Sequence, residues 1–316
     1  MIVTRLLPLL CGFCLASGAA VAATATVSGD TAAGNTAAPP AKYQNLDVDG
    51  VRLGSVKAAV FDPASATMLY SKNADVQAPI ASITKLMTAM VVLDAQQPLD
   101  EMLTIKKLKP ISGKNAYSRI RAESRLSRRD LMQIMLMASE NLAAANLAHH
   151  FPGGSDAFIA AMNTKAQALG MSQTLFTDAS GLSSKNLSTA SDIVKMVTAA
   201  AQYDTIREFS TASGFTATFE NPRYSLHYGN TNRLVHRDSW EIGISKTGYL
   251  NDAGRCLVMI TQIDGRDVAM VLLDSFGKLT PIGDAGRIKR WLTTGSSGTV
   301  AGAALNYERT KSASYR

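Results

Sequence analysis

The rhythm of apolar and polar positions changes twice along this chain, from extended to helical and back. Near the start, VKAAVFD (56–62) and MLYSKN (68–73) flank the turn-like PASAT and predict a β-hairpin. From Ile83 the apolar residues fall at Ile83, Leu86, Met87, Met90 and Val91, the i, i+3, i+4, i+7, i+8 stripe of a helix. Helical patterning then runs, in separate pieces, to about residue 210. Ser127-Arg-Arg-Asp opens a helix with Leu131, Ile134, Met135 and Ala138 as its stripe, and the alanine-rich stretch Asn141–His150 follows. Ser155 is expected to cap a helix that stops at Gly170, and Ser188 another that reaches about Tyr203. Beyond that the pattern is extended again, with short β-branched segments near Ser239–Lys246, Arg255–Gln262 and Asp267–Leu273. Asn251-Asp252-Ala253-Gly254 and Asp264-Gly265 supply the turns between them, and Thr280-Pro281 starts a last helix ending near Leu292.

Strands at both ends and helices between them predict an α+β fold. One antiparallel sheet from the N- and C-terminal segments packs on the last helix, and a helical part is inserted beside it. Such an arrangement leaves a cleft between sheet and helices, where a site is expected. Residues 45–295 form this globular part; 24–44 and 296–316 are small, polar and without apolar period, and read as a flexible leader and a disordered tail.

Composition agrees: 46% hydrophobic residues with 18% charged among 316 supply a sizeable core. The net charge of +7 is spread along the chain except at Arg119, Arg121, Arg125, Arg128 and Arg129. That cluster reads first as a solvated helix face or loop; loose attraction to an acidic wall polymer or a membrane surface is the alternative. No aromatic-interleaved basic motif points to nucleic acid. The first 23 residues carry one basic residue, Arg5, an apolar run from Leu6 to about Leu15, and small residues at Ala20, Ala22 and Ala23. This is the pattern of a cleaved secretory signal, too short for a membrane span, and it predicts a periplasmic protein. Cys11 and Cys14 leave with it, so the mature chain keeps Cys256 alone, a buried hydrophobe in the strand RCLVMI rather than a disulfide partner. The four histidines have no metal-ligand spacing, and no cofactor motif is present.

Three short stretches carry the chemistry. Ser82 and Lys85 in PIASITKLMTAM lie one helical turn apart, either a cap with a solvated lysine or a nucleophile with its base. ASEN (138–141) is a helix cap or a second cluster of polar groups. Lys246-Thr247-Gly248-Tyr249 is a strand-end turn or a substrate-binding edge. In this order, S-x-x-K, S-D-N and K-T-G form the set of penicillin-binding proteins and related β-lactamases, and Ser139-Glu140-Asn141 stands at the middle one. Over residues 45–295 the chain resembles the low-molecular-mass penicillin-binding proteins, the serine D-alanyl-D-alanine peptidases. Glu140 stands where the common pattern has aspartate, as in their D,D-endopeptidase branch, which ASITKLMTAMVVLDA and LAHHFPGG also resemble.

The resemblance implies a β-lactamase/transpeptidase-like fold and a set of roles. Ser82 is the nucleophile, Lys85 the base, and Ser139 the relay of a proton to the leaving amine. Asn141 holds substrate or Lys85, and Lys246 and Thr247 meet a substrate carboxylate. Gly248 keeps the strand edge open, and the backbone N–H groups of Ser82 and Tyr249 form the oxyanion hole. Lys246 and desolvation together are expected to lower the pKa of Lys85. FTDASGLSSKN (176–186) resembles a loop lining the cleft, with no roles assigned to its residues. The expected partners are peptidoglycan peptides, with β-lactams as covalent inhibitors. The expected activity is hydrolysis of D-alanyl–diaminopimelyl cross-links. D-alanyl-D-alanine carboxypeptidase is the alternative, then a weak β-lactamase or a non-catalytic wall-binding protein. On the same resemblance, the short stretch after Leu292 is expected to carry neither the β-rich domain nor the amphipathic anchor of the membrane-bound carboxypeptidases.

Overall fold

A computed structural model describes residues 41–108 and 117–315; the expected signal segment, and the leader up to residue 40, lie outside them. Five strands form the main sheet: β1 (Ser55–Asp62), β2 (Thr67–Lys72), β3 (Ile242–Leu250), β4 (Gly254–Ile263) and β5 (Arg266–Ser275). Their order is β2-β1-β5-β4-β3, antiparallel throughout, so the two ends of the chain meet at β1 and β5. Val60 lies opposite Met270 and Lys246 opposite Val258.

The inner strands read as unbroken apolar runs because both faces of the sheet are covered. Ala58, Val60, Leu257, Met259, Met270 and Leu272 pack towards Ala285, Ile288 and Trp291 of the helix Thr280–Thr294. Ala59, Val258, Ile260, Ala269, Val271 and Leu273 face the helical part. That part comprises α1 (Thr84–Asp94), α2 (Arg128–Met137), α3 (Asn141–His149), α4 (Gly154–Ala168), α5 (Ala190–Ala200) and α6 (Asp204–Thr211). After the sheet come α7 (Thr280–Thr294) and α8 (Gly302–Ala313). Helix α1 is the centre of the helical part: Thr84 through Val92 are buried, and α2, α3, α4 and α5 all pack on it. The expected amphipathic stripe is therefore one side of a helix buried all round.

The caps differ in detail from the expectation. Ser127 does cap α2, accepting from Asp130 N at 3.1 Å. Thr189, one residue past the expected Ser188, caps α5 through Asp192 N, and Ser188 instead meets the Thr174 hydroxyl at 2.7 Å. Ser155 lies inside the first turn of α4, which Gly153 precedes.

Two expectations are corrected. The tail is not disordered along its length, since α8 lies against β1. Lys72 pairs with Glu308 at 2.9 Å, Tyr307 donates to Asp274 at 2.6 Å, and buried Lys57 donates to the Tyr315 hydroxyl at 2.7 Å. Polar side chains hold this helix to charges buried in the sheet, so apolar periodicity does not reveal it. The arginine cluster is not a simple solvated face either. Arg128 is buried and paired with Glu101 at 2.5 Å, while Arg119, Arg121 and Arg129 stack on Tyr228, Tyr224 and Phe209. Among the described residues no helix is long and apolar enough to cross a membrane.

Candidate active site

Ser82 sits in a 3₁₀ turn, Ala81–Ile83, that runs directly into α1. Ala81 takes a left-handed backbone (φ 47°), which costs an alanine about 1 kcal/mol and bends the chain sharply just before the serine. Lys85, one turn on, is fully buried, and its Nζ reaches three oxygens. These are Ser82 Oγ at 2.9 Å, Asn141 Oδ1 at 2.7 Å and the Ser180 carbonyl at 2.5 Å. Burial pulls its pKa down to about 7, against the opposing pull of the Asp178 and Glu140 carboxylates. Desolvation, rather than Lys246, is thus the cause for Lys85. Lys246 is itself pushed well below the usual lysine range, by burial first and by Lys85 second.

The ASEN stretch turns the corner from α2 to α3. Ser139 has a left-handed backbone (φ 62°), Glu140 accepts from Leu142 N at 3.1 Å to cap α3, and Asn141 is the first helical residue. This explains why glutamate is accommodated in the middle position. Its carboxylate satisfies a free N–H at a helix start, and a side chain one carbon longer still reaches it.

Lys246, Thr247, Gly248 and Tyr249 lie on β3, the edge strand of the sheet nearest the Ser82 turn. Gly248 has a more specific reason than an open edge. A Cβ there would lie 3.2 Å from Ser82 N, from the Ile80 carbonyl and from Ala81 Cβ, so only glycine lets the strand press against the turn without displacing it. Ser82, Ser139, Asn141, Thr247, Gly248 and Tyr249 line one cleft of about 630 Å³. Lys85 and Lys246 lie beneath it. Lys246, expected at a substrate carboxylate, is instead 1% exposed and donates to the Thr247 carbonyl at 2.9 Å.

Other residues of the cleft escaped the sequence reading. Thr231 meets the Thr247 hydroxyl at 2.6 Å, and Arg233, Lys278 and Arg255 line the walls, Arg255 stacked 3.6 Å from the Tyr249 ring. The 176–186 loop supplies Ser180, whose carbonyl holds Lys85, and Asn186, whose amide donates to Thr84 Oγ1 at 3.0 Å. The Asp-x-Ser-Gly sequence at 178–181 is a turn signal that could have marked it, but nothing local says what the turn touches. Cys256 is free, buried and raised to about 12 by burial, as a packing thiol would be.

Residues 44–277 match the profile of a peptidase family described as D-alanyl-D-alanine carboxypeptidase. The chain is 47% identical over 283 residues to a D-alanyl-D-alanine endopeptidase of Escherichia coli, covering 90% of this chain and 88% of that one. Its fold is similar to that of the Streptomyces K15 DD-transpeptidase, with a TM-score of 0.70 at 26% identity, covering 82% of this chain and 98% of the other. It is also similar to penicillin-binding protein D2 of Listeria monocytogenes in its cefotaxime-bound form, with a TM-score of 0.67 at 28% identity, covering 77% and 99%.

Proposed function

The chain belongs to the D-alanyl-D-alanine carboxypeptidase family, and we propose that within it this protein is a serine D,D-endopeptidase of peptidoglycan acting through an acyl-enzyme on Ser82. The observation that carries this is the hydrogen-bonding of Lys85. A neutral amine has two N–H donors and one lone pair. With Asn141 Oδ1 and the Ser180 carbonyl taking the donors, the lone pair faces the Ser82 hydroxyl. A pKa of about 7 leaves a good share of the lysine neutral near neutral pH, as a general base requires.

The reaction then runs in two halves. Lys85 takes the Ser82 proton as Oγ attacks the D-alanyl carbonyl, and the oxyanion is received by the backbone N–H groups of Ser82 and Tyr249. The C–N bond breaks, and the leaving amine takes a proton relayed through Ser139. Water then cleaves the Ser82 ester, releasing the carboxylic acid and returning the serine proton. A β-lactam enters the same first half, but its amine stays tethered, so the ester persists.

The endopeptidase reading draws on the relative at 47% identity and on the cleft walls. Beyond Thr247 and Thr231 stand Arg233, Arg255 and Lys278, cations suited to a leaving group that carries carboxylates, as diaminopimelate does. The signal-like N-terminus supports a periplasmic location, and the net charge of +7 supports loose attachment to an acidic wall or membrane surface.

Two measurements test this. A fluorescent penicillin should label the mature chain at Ser82 and leave Ser82→Ala unlabelled; label on the variant removes Ser82 as nucleophile. Purified cross-linked muropeptide dimer should be cleaved faster than D-alanine is released from a monomeric pentapeptide. The reverse order makes the enzyme a carboxypeptidase.

A further inference from the structure

The 176–186 loop is stitched to α1 along three successive contacts. Asn186 reaches Thr84 Oγ1 at 3.0 Å, the Ala179 carbonyl accepts from Thr88 Oγ1 at 2.6 Å, and the Ser180 carbonyl accepts from Lys85 at 2.5 Å. At its other side Gly181 (φ 79°) passes so close to the Ser82 turn that a Cβ would fall 1.9 Å from the Ala81 carbonyl. At the centre of the loop is one buried carboxylate. Asp178 Oδ1 accepts from Ser180 N and Ser180 Oγ, both at 2.6 Å, and from Gly181 N at 2.7 Å. Its Oδ2 accepts from Ser183 N at 2.8 Å. Four donors from three residues close the turn around it, and that turn presents the Ser180 carbonyl to Lys85.

We infer that Asp178 is a positioning residue of the acylation step: its carboxylate folds the loop so that the Ser180 carbonyl aims the Lys85 lone pair at Ser82, and its charge steadies the proton that Lys85 receives. This rests on the reading of Lys85 as base. The geometry separates two contributions. Orientation comes through the four hydrogen bonds and the Ser180 carbonyl, and it holds at any pH. Charge comes from the nearby carboxylate, which favours the ammonium form. The titratable groups that influence Lys85 or are influenced by it are Asp178 from the loop, Glu140 from the start of α3, and Lys246 from β3. Of the two carboxylates, Asp178 raises the lysine's proton affinity more, opposing the burial that lowers it. Burial lowers the proton affinity of Lys85, and Asp178 opposes that shift. In the balanced step, Lys85 gains the Ser82 proton as the Oγ–carbon bond forms, and the new ammonium meets the Ser180 carbonyl with the Asp178 charge behind it.

The test measures the acylation rate constant and the preceding non-covalent affinity for a chromogenic cephalosporin from pH 5.5 to 9, on the mature chain. Asp178→Ala should lower the plateau acylation rate by about 10- to 100-fold, the scale of a misplaced catalytic group, with the non-covalent affinity kept. Asp178→Asn keeps one acceptor oxygen for the three donors that meet Oδ1, gives up the bond to Ser183 N, and removes the charge. Its acid limb should move to lower pH by about one pH unit, the low end for losing a nearby opposite charge. A purely structural residue would lower the melting temperature and leave the limb in place. A folded Asp178→Ala chain with the wild-type plateau overturns the proposal, as does an Asp178→Asn limb that stays put or moves up. Should Asp178→Ala not fold, the Asp178→Asn limb decides alone. Lys85→Arg is the control for the underlying reading: normal acylation by that variant removes Lys85 as base whatever Asp178 does.

Discussion

At the scale of single residues, burial sets the chemistry. Lys85 folds into a site that lowers its pKa from the usual lysine value of 10.5 to about 7, so the native chain binds fewer protons there than the unfolded chain between those two pH values. Stability therefore rises with pH across that window, and this group's cost is present in full below pH 7. Replacing Lys85 by the apolar Lys85→Met removes the term. The urea-unfolding free energy of the wild-type chain minus that of Lys85→Met should climb steadily between pH 7 and pH 10. A flat difference would mean that Lys85 is not the perturbed group. Glu140 gives a second residue-scale lesson, because a motif position occupied by a helix cap tolerates whatever side chain can reach the N–H.

Elements bring these residues into register, and the closest approach is between β3 and the Ser82 turn. The strand comes in at Gly248, where the three nearest atoms to an added Cβ would all be at 3.2 Å, two of them backbone. Backbone on both sides leaves little room to yield, so Gly248→Ala should push the strand from the turn by a few tenths of an ångström. Sheet pairing to β4 continues on the other side and keeps the fold. The expected result is acylation slowed by up to about 10²-fold with a thermal melt close to wild type. Wild-type acylation in that variant would show that the strand's distance from Ser82 is not critical. Helix α1 contributes differently. Being buried from Thr84 to Val92, it holds Lys85 out of solvent.

On the scale of the whole molecule, the N- and C-terminal segments build one sheet, and the C-terminal end also holds that sheet's buried charges. Lys57 and Asp274 face each other at 3.4 Å, with Tyr315 and Tyr307 from the end of the chain as their further partners. Deleting residues 302–316 leaves both charges short of a partner, at about 1–3 kcal/mol for each buried group left unsatisfied. Since α8 contributes nothing to the cleft lining, the shortened chain should melt lower yet still bind penicillin at Ser82. An unchanged melting temperature would show that the helix only rests on the sheet.

The alternation of extended and helical patterns is a local property and indicated the sheet and the helical insert, while the three motifs, through the resemblance they carry, marked Ser82, Lys85, Ser139, Asn141, Lys246, Thr247, Gly248 and Tyr249 as candidates, of which Ser82, Ser139, Asn141, Thr247, Gly248 and Tyr249 line one cleft. Side-chain type and spacing decide such features, because a helical turn or a strand edge is built from neighbours. The rest depended on distances between residues far apart in the chain. Lys85 meets the Ser180 carbonyl across 95 positions, and no local pattern states that contact or the burial that sets its proton affinity. The same holds for Lys246, whose side chain is buried against the Thr247 carbonyl, and for Thr231 beside Thr247. It holds again for α8, a polar stretch that folds because charges in the sheet await it. Desolvation and pairing are properties of the packed molecule, so they became visible only when sheet, loop and helix were brought together.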